Sequence, residues 1–334
     1  MRGSPILPAV SGLAALLVLA ACGAGGGAGV GADPQPGDGP LTVTNCGAEV
    51  TFDRPPERVV LLSSAAVPFL HELGVLDRVV ARAGQYPAEY YDEPTLAEVD
   101  EIPLLTDKTD TAGHLQISRE VVIAQRPDVV LGGVDNLDRQ TLASAGIALL
   151  EEPAMCDAGL PAVSFDDVYA QMQFYGTVFD RTDEAARAVV DLRERVDAVA
   201  ATTDGAAGTR TAAVLYPTVG GGVTYAYGTG SMAHPQLEAA GLTNVFGDVE
   251  DRVFEVTREE LIGRNPDVLV LLYGDGDPQL VEDAVTSLPG ASGMTAVREG
   301  NILVQLFNFT EPPTPLSVVG LERIVERFGT GTTP

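Results

Sequence analysis

Ile117-Ser-Arg-Glu-Val-Val-Ile-Ala-Gln-Arg-Pro-Asp-Val-Val-Leu131 returns, without a gap, as Val256-Thr-Arg-Glu-Glu-Leu-Ile-Gly-Arg-Asn-Pro-Asp-Val-Leu-Val270. Each copy reads as one unit: an N-cap at Ser118 or Thr257, an amphipathic helix of about two turns, a Pro stop, then a buried apolar strand. Thr257 with Glu260 makes a capping box, whereas Val121 holds the matching position after Ser118 and makes none. Two such units in equivalent places predict two α/β lobes of similar construction. Chance similarity between common helix-to-strand junctions is the alternative.

The surroundings of the first copy fit a lobe over 41–160. Leu41 to Phe52 alternates like a short hairpin, and apolar runs at Arg58 to Leu62, Val79 to Ala81, Val129 to Leu131 and Ile147 to Leu150 read as parallel strands. Helical stretches at Val67 to Leu76 and Leu137 to Ala145 separate them, with Gly74 and Gly146 placed as C-caps. Ser164 to Phe179 and Thr182 to Ala201 carry apolar residues at helical spacing, among them Val189, Leu192, Val196 and Val199, and predict a helical connector over 161–205. A second lobe over 206–330 has strands at Thr211 to Tyr216, Val268 to Leu272 and Ile302 to Leu306. The fold class is α/β, two lobes with central, mainly parallel sheets.

Ahead of the lobes, Arg2 and the apolar run Ile6 to Ala21 read as a secretory signal over 1–21, too short to span a bilayer of roughly 30 Å comfortably. Its end, Leu19-Ala20-Ala21-Cys22, resembles the lipobox of bacterial lipoproteins, which implies lipidation of Cys22 and anchoring on the extracytoplasmic face of the cell membrane. An ordinary cleaved signal with an accidental cysteine is the alternative. Residues 22–40, nearly all Gly, Ala, Pro and Asp, read as a flexible tether. With Cys22 assigned to lipid, Cys46 and Cys156 are an even pair in an oxidising compartment and are expected to form a disulfide, with two isolated buried thiols as the alternative.

The formal net charge is −27, and Lys108 is the only lysine. No basic patch can form a phosphate footprint, so nucleic acid is excluded as a partner. The acidity suits the solubility of an exported protein, and a strongly anionic ligand would need a local arginine cluster.

Pro55-Pro-Glu-Arg-Val-Val-Leu-Leu-Ser-Ser-Ala-Ala-Val-Pro-Phe-Leu-His-Glu-Leu-Gly-Val-Leu-Asp-Arg-Val-Val80 resembles the opening of the substrate-binding proteins of iron-siderophore and cobalamin ABC importers. The likeness continues through Arg126-Pro-Asp-Val-Val, Phe165-Asp-Asp-Val-Tyr, Gly241-Leu-Thr-Asn-Val-Phe and Asn265-Pro-Asp-Val-Leu, and so covers residues 42 to 328. It implies a class III periplasmic-binding-protein-like receptor: two lobes joined by a long rigid helix, monomeric, holding a ligand in the cleft and passing it to a permease and its ATPase. Relatives take hydroxamate and catecholate siderophores, cobalamin, haem or bare metal ions. Many carry a glutamate in the first helix of each lobe that docks on permease arginines. Pro68 stands at that position here, which leaves Glu72, one turn on, and Glu238 in the second lobe as docking candidates.

In open α/β sheets ligands sit beyond the carboxyl ends of the strands. That rule nominates Ser63 and Ser64, Arg82 with Gln85 and Tyr86, and Asp135 with Asn136 in the first lobe. In the second it nominates Tyr216, Tyr225, Tyr227, Arg252, Tyr273 and the run Phe307-Asn308-Phe309. Aromatic rings suit the greasy shell of a ferric chelate, and the planar fork of Arg82 or Arg252 suits iron-bound oxygens. A surface salt bridge competes for each arginine, and a half-buried core position for each tyrosine. Val219 to Ser231 reads as a glycine-rich loop, either an anion nest before a helix near Pro235 or a plain mobile loop. Glu311-Pro-Pro-Thr-Pro315 must be extended, and either aims Phe307 and Phe309 at the cleft or merely links to a helix at Ser317 to Phe328.

The expected function is capture of a ferric siderophore, with iron chelated by the ligand and no cofactor or metal held by the protein. Cobalamin or haem binding is the alternative; the lack of Trp and of an axial-ligand loop disfavours haem. Bare-metal transport lacks ligands, since His71, His114 and His234 are the only histidines. An enzyme lacks HExxH, GxSxG, SxxK or a Cys-His pairing at useful spacing, and adjacent Glu151 and Glu152 point to opposite faces. A structural lipoprotein is the third option.

Overall fold

The computed structural model describes residues 39–110, 114–134, 137–156, 158–160, 162–203 and 210–329. The expected signal, Cys22, most of the tether, Asp135 and Asn136 lie outside them.

The alternating stretch at 41–52 is an antiparallel hairpin of β1 (Leu41–Asn45) and β2 (Ala48–Phe52). The first lobe then runs β3 (Val59–Leu61), α1 (Val67–Glu72), β4 (Val79–Arg82), α2 (Glu93–Glu101), α3 (Arg119–Ala124), β5 (Val129–Leu131), α4 (Arg139–Ser144) and β6 (Ala148–Leu150). Its sheet has the order β4-β3-β5-β6, all parallel, with β3 and β5 wholly buried, which is why these strands read as unbroken apolar runs.

Two connector helices follow, α5 (Phe165–Val178) and α6 (Thr182–Thr203). Ser164 and Asp167 form a reciprocal capping box that starts α5. The second lobe contains β7 (Arg210–Pro217), β8 (Thr224–Tyr227), α7 (Ala233–Ala239), β9 (Leu242–Asn244), β10 (Val253–Val256), α8 (Arg258–Arg264) and β11 (Val268–Tyr273). It ends with α9 (Pro278–Thr286), α10 (Thr295–Glu299), β12 (Ile302–Leu306) and α11 (Pro315–Phe328). The sheet order is β10-β8-β7-β11-β12, with β9 added beside β7. β7, β9, β11 and β12 are parallel, while β8 and β10 are antiparallel additions. The expected loop over Val219 to Ser231 therefore contains a strand: Thr224 to Tyr227 pair with β10 and Thr224 to Ala226 with β7, while the turn through Gly220 to Gly222, all at positive φ, and the stretch after Tyr227 are loop.

The repeat superimposes in its hydrogen bonds. Asp128 takes the backbone N–H groups of Glu57 and Arg58 at 2.9 and 3.0 Å, while its own N–H donates to the Arg58 carbonyl. Asp267 takes the N–H and hydroxyl of Thr211 at 2.8 and 2.9 Å, and its N–H donates to the Thr211 carbonyl. In both copies the residue before Pro is left-handed, Arg126 at φ 49° and Asn265 at φ 46°. Each Asp thus clamps the start of the neighbouring parallel strand, β3 or β7. The capping box at Thr257 is only half made: its hydroxyl accepts from the Glu260 N–H, but the Glu260 carboxylate turns to Arg264 instead. An ion pair one turn along outcompetes the reciprocal cap.

One apolar core joins the elements around the connector. Phe69 and Leu70 of α1, Tyr175 and Phe179 near the end of α5, Val189 and Leu192 of α6, and Val318 and Leu321 of α11 belong to it. Arg195 of α6 adds a two-pronged ion pair to Glu322 of α11, both contacts at 2.9 Å. Each fully buried side chain of this size contributes about 1.5–3 kcal/mol, so α11 is held to α1 and α6 through Val318 and Leu321 as well as to its own lobe through Ile324 and Phe328.

Cys46 and Cys156 form the expected disulfide. It ties the hairpin to the turn after β6, where the Asn45 amide also pairs with the backbone of Glu151 in both directions, at 2.8 and 2.9 Å. Because the bridge closes a loop of 110 residues, Cys46→Ser with Cys156→Ser should lower unfolding free energy by about 2–5 kcal/mol, measured in urea. A change below about 0.5 kcal/mol would show that the hairpin is held by other contacts.

Glu152, next to this bridge, is buried, and desolvation lifts its carboxyl to about 7, against a smaller lowering by the Tyr175 hydroxyl. A carboxyl raised on folding leaves stability unchanged below the unfolded pKa of about 4.3 and erodes it as pH climbs to the folded value. Wild type should therefore lose roughly 3 kcal/mol more than Glu152→Gln between pH 4 and pH 8. Parallel urea profiles for the two proteins across that range would refute the assignment.

Candidate functional site

The residues that follow the carboxyl ends of the two sheets meet each other. Ser64, just after β3, accepts a hydrogen bond from the Asn308 amide at 3.0 Å, and the Tyr90 hydroxyl accepts from the Asn308 N–H at 2.9 Å. Gln85, after β4, donates to Asp275, after β11, at 2.9 Å. The Tyr90 ring stands edge-on to Phe309, with centroids 5.2 Å apart. Asn308 and Phe309 are buried in this seam, so they form its floor rather than an open wall.

The second-lobe aromatics beside the seam fall into two sets. Tyr216 and Phe307 are half-buried and meet edge to face at 6.0 Å. The Tyr216 hydroxyl also lies against the Gly274 backbone, where a Cβ would approach it to 3.3 Å. Tyr225 is opposite Tyr216 on β7 and Glu255 on β10, and is 36% exposed. Tyr273 is half-buried; burial raises its phenol, Glu89 raises it further, and Arg323 opposes both. Tyr227, by contrast, is buried and its phenol is pushed well up by desolvation.

Of the first-lobe residues, Ser63 caps the short turn after β3, accepting from the Ala65 N–H at 3.2 Å. Arg82 turns toward α2: its Nε donates to the Ile102 carbonyl at 3.2 Å, its Nη2 lies 3.7 Å from Asp100, and its guanidinium covers the Tyr86 ring at 4.9 Å. Tyr86 donates to the Ala83 carbonyl at 3.2 Å. These two pack as a unit on the flank of β4 and are not brought together with the second-lobe aromatics by any contact among the described residues.

Arg252 has a partner that its sequence neighbourhood does not reveal. Its Nη1 donates to Glu311 at 2.9 Å, and the Glu311 side chain is wholly buried while Arg252 is 31% exposed. The other Glu311 oxygen accepts the Met232 N–H at 2.6 Å. Desolvation raises the Glu311 carboxyl, with Arg252 the largest opposing influence. The segment Thr310 to Thr314 is buried throughout. Gly320 of α11 lies against it so closely that a Cβ would sit 1.7 Å from the Phe309 carbonyl oxygen. The expected extended Pro segment is thus a packed crossing beneath the seam, pinned by Glu311. Phe309 packs downward into it, and Arg323 covers that ring at 4.6 Å. Glu311, Tyr90, Asp275 and Arg323 were not among the expected site residues; Tyr90 and Arg323 gave no local motif, and Glu311 reads in sequence as an exposed acid in a Pro-rich linker.

The docking candidates are both exposed. Glu72 ends α1 within electrostatic reach of Arg195, and Glu238 on α7 lies 3.4 Å from His234. Among the described residues no group of three or more His, Cys, Asp or Glu side chains gathers to hold a metal ion.

The family profile of periplasmic binding proteins matches residues 59–305, from β3 to β12. The chain belongs to the periplasmic binding protein family. Periplasmic binding proteins are extracytoplasmic solute-binding proteins, not enzymes, and the parallel-sheet lobes and helical connector are those of class III members. The crystal structure of an ABC-type Fe3+-hydroxamate transport system from Saccharomonospora viridis is 60% identical and superimposes with a TM-score of 0.83, covering 87% of this chain and 99% of that one. A periplasmic binding protein from Veillonella parvula shares the fold at 20% identity and TM-score 0.72, covering 88% and 99% of the two chains. A cobalamin-binding protein of Halobacterium salinarum is 27% identical over 288 residues, 84% of this chain and 71% of that protein.

The asymmetry of the Arg252–Glu311 pair is testable. Arg252→Met strands a buried carboxylate and should cost about 3 kcal/mol at pH 7. Adding Glu311→Gln should restore most of the loss, since an amide oxygen still accepts the Met232 N–H. A double variant as unstable in urea as the single one would show that the charge pair is not what holds the crossing.

Proposed function

We propose that the chain is a lipid-anchored, extracytoplasmic substrate-binding protein of an ABC importer that captures a ferric siderophore of the hydroxamate class between its lobes. A permease coupled to an ATPase receives the cargo. The observation that carries this reading is the 60% identity, over 99% of its length, to the Fe3+-hydroxamate transport protein of Saccharomonospora viridis. The aromatic wall of Tyr216, Tyr225, Tyr273 and Phe307 supports it, because flat, partly exposed rings pack on the hydrocarbon shell of a chelate. The exposed part of the Arg252 fork adds a donor for chelate oxygens, held in place by Glu311. Iron arrives already chelated and needs no protein ligand.

In this reading residues 1–21 are a cleaved signal, Cys22 carries the lipid, and 22–40 form the tether. Lobes over 41–160 and 206–330 flank a connector over 161–205, Ser63 and Asn136 face the ligand from the first lobe, and Glu72 and Glu238 meet the permease. A monomer suffices for that task. Cobalamin is the second reading, favoured by the 27% identity to the Halobacterium salinarum cobalamin-binding protein.

With nine Tyr and no Trp, tyrosine fluorescence reports ligand entry directly. A ferric trihydroxamate should quench it saturably, with ferric catecholate and cyanocobalamin far weaker. Saturable quenching by cyanocobalamin alone would transfer the assignment to cobalamin.

A further inference from the structure

Arg323, on α11, makes no hydrogen bond or ion pair with any described residue. The chain has 47 acidic side chains against 20 Lys and Arg, so an arginine that stays unpaired has been kept from abundant carboxylates. Its neighbours show what holds it. Leu316, Val319 and Arg323 follow one another at three- and four-residue spacing and share one face of α11. Leu316 belongs to the apolar cluster of Tyr90, Leu306 and Phe309, and Val319 and Tyr273 pack on the same cluster. Arg323 continues that face, its guanidinium lying over the Phe309 ring at 4.6 Å.

The helix is fixed on both sides of this residue. Glu322 is bonded to Arg195 through both carboxylate oxygens, and Ile324 is fully buried. Arg323 Nε is buried against the ring without a partner, whereas Nη1 and Nη2, equally unpartnered among the described residues, remain open to solvent. Phe309 itself is only 2% exposed. At this end of the seam the surface that meets solvent is therefore the guanidinium and not the ring beneath it.

The charge stands beside the aromatic wall. It lowers the phenol of half-buried Tyr273 against the raising influence of burial and Glu89. Glu89 and Asp277 act on the same phenol, yet neither forms an ion pair with Arg323. The arginines nominated by the strand-end rule are differently placed: Arg252 donates to buried Glu311, and Arg82 to the Ile102 carbonyl beside Asp100.

We infer that Arg323 is the specificity-determining cation of the cleft, its two free terminal nitrogens donating to a pair of iron-bound oxygens of a ferric hydroxamate that lies on Tyr273. This assignment rests on the transport reading given above. Each hydroxamate group offers two oxygens to one metal and so presents them as a pair, which suits a planar, two-pronged donor better than a point charge. Phe309 holds the fork in place before the ligand arrives, which reduces the ordering cost of binding.

The probe is ferrichrome, a neutral ferric trihydroxamate, titrated into the intact chain by tyrosine quenching. Neutrality removes long-range attraction to the charge of the protein and leaves the local contact to be read. Arg323→Met still covers Phe309 but donates nothing, and should weaken binding about tenfold to a hundredfold. Arg323→Lys keeps the charge without the fork and should fall between the two. Both variants should keep the wild-type midpoint of urea unfolding, which a merely structural cover for Phe309 would not explain alongside lost affinity. A Met variant that binds within twofold of wild type would overturn the assignment and leave the transport reading standing. Wild type that shows no saturable quenching by ferrichrome would overturn both.

Discussion

Burying a carboxylate is among the costliest things a fold can do, and this fold buries Glu311 completely. The cost is offset by two donors, the Met232 N–H and the Arg252 guanidinium, which come from the entrance to α7 and from the strand-edge loop before β10. Glu311 thereby fixes three pieces of chain at one point: the crossing after β12, the start of α7 and the loop that precedes β10. Asn308 and Phe309, three and two residues earlier, inherit that position and make the floor on which Ser64 and Tyr90 of the first lobe rest. If the crossing moved, the seam between the lobes would move with it.

The same crossing delivers the chain into α11, whose apolar face enters the core shared by α1, α5 and α6. The two lobes are consequently coupled by packed side chains and not only by the covalent connector. Such interiors resist continuous deformation, and the freedom to adjust lies at the rim, where Tyr225 and the glycine turn through Gly220 to Gly222 carry little burial.

Much of this architecture was legible because its signals are local. The repeat worked as a guide since Asp128 and Asp267 act on the strand immediately beside them, and a Pro stop after a capped helix has few other meanings. Wholly buried β3 and β5, and β11 buried up to Tyr273, announce themselves as apolar runs. β8 and β10 did not, because each has four residues and β8 stands among glycines that suggest a loop. The site was less legible than the fold for a related reason. Whether Arg82 and Arg252 are available to a ligand depends on acceptors 20 and 59 residues away, and no spacing rule predicts those meetings. Glu311 gives no such signal because an acid that opens a Pro-rich segment is ordinarily a solvated one, and only the tertiary fold takes it out of water.

The disulfide and the Asn45 pairing have a mechanical side. The β1–β2 hairpin is where the preceding chain enters the fold, and Cys46 is bonded to Cys156 only five residues beyond Leu41. A pull applied from upstream can strip at most the first strand before the load reaches a covalent bond. It then passes to the turn after β6 and into α5, at the base of the connector. The hairpin works as a shackle, keeping a pull on the preceding chain from unzipping the first-lobe sheet.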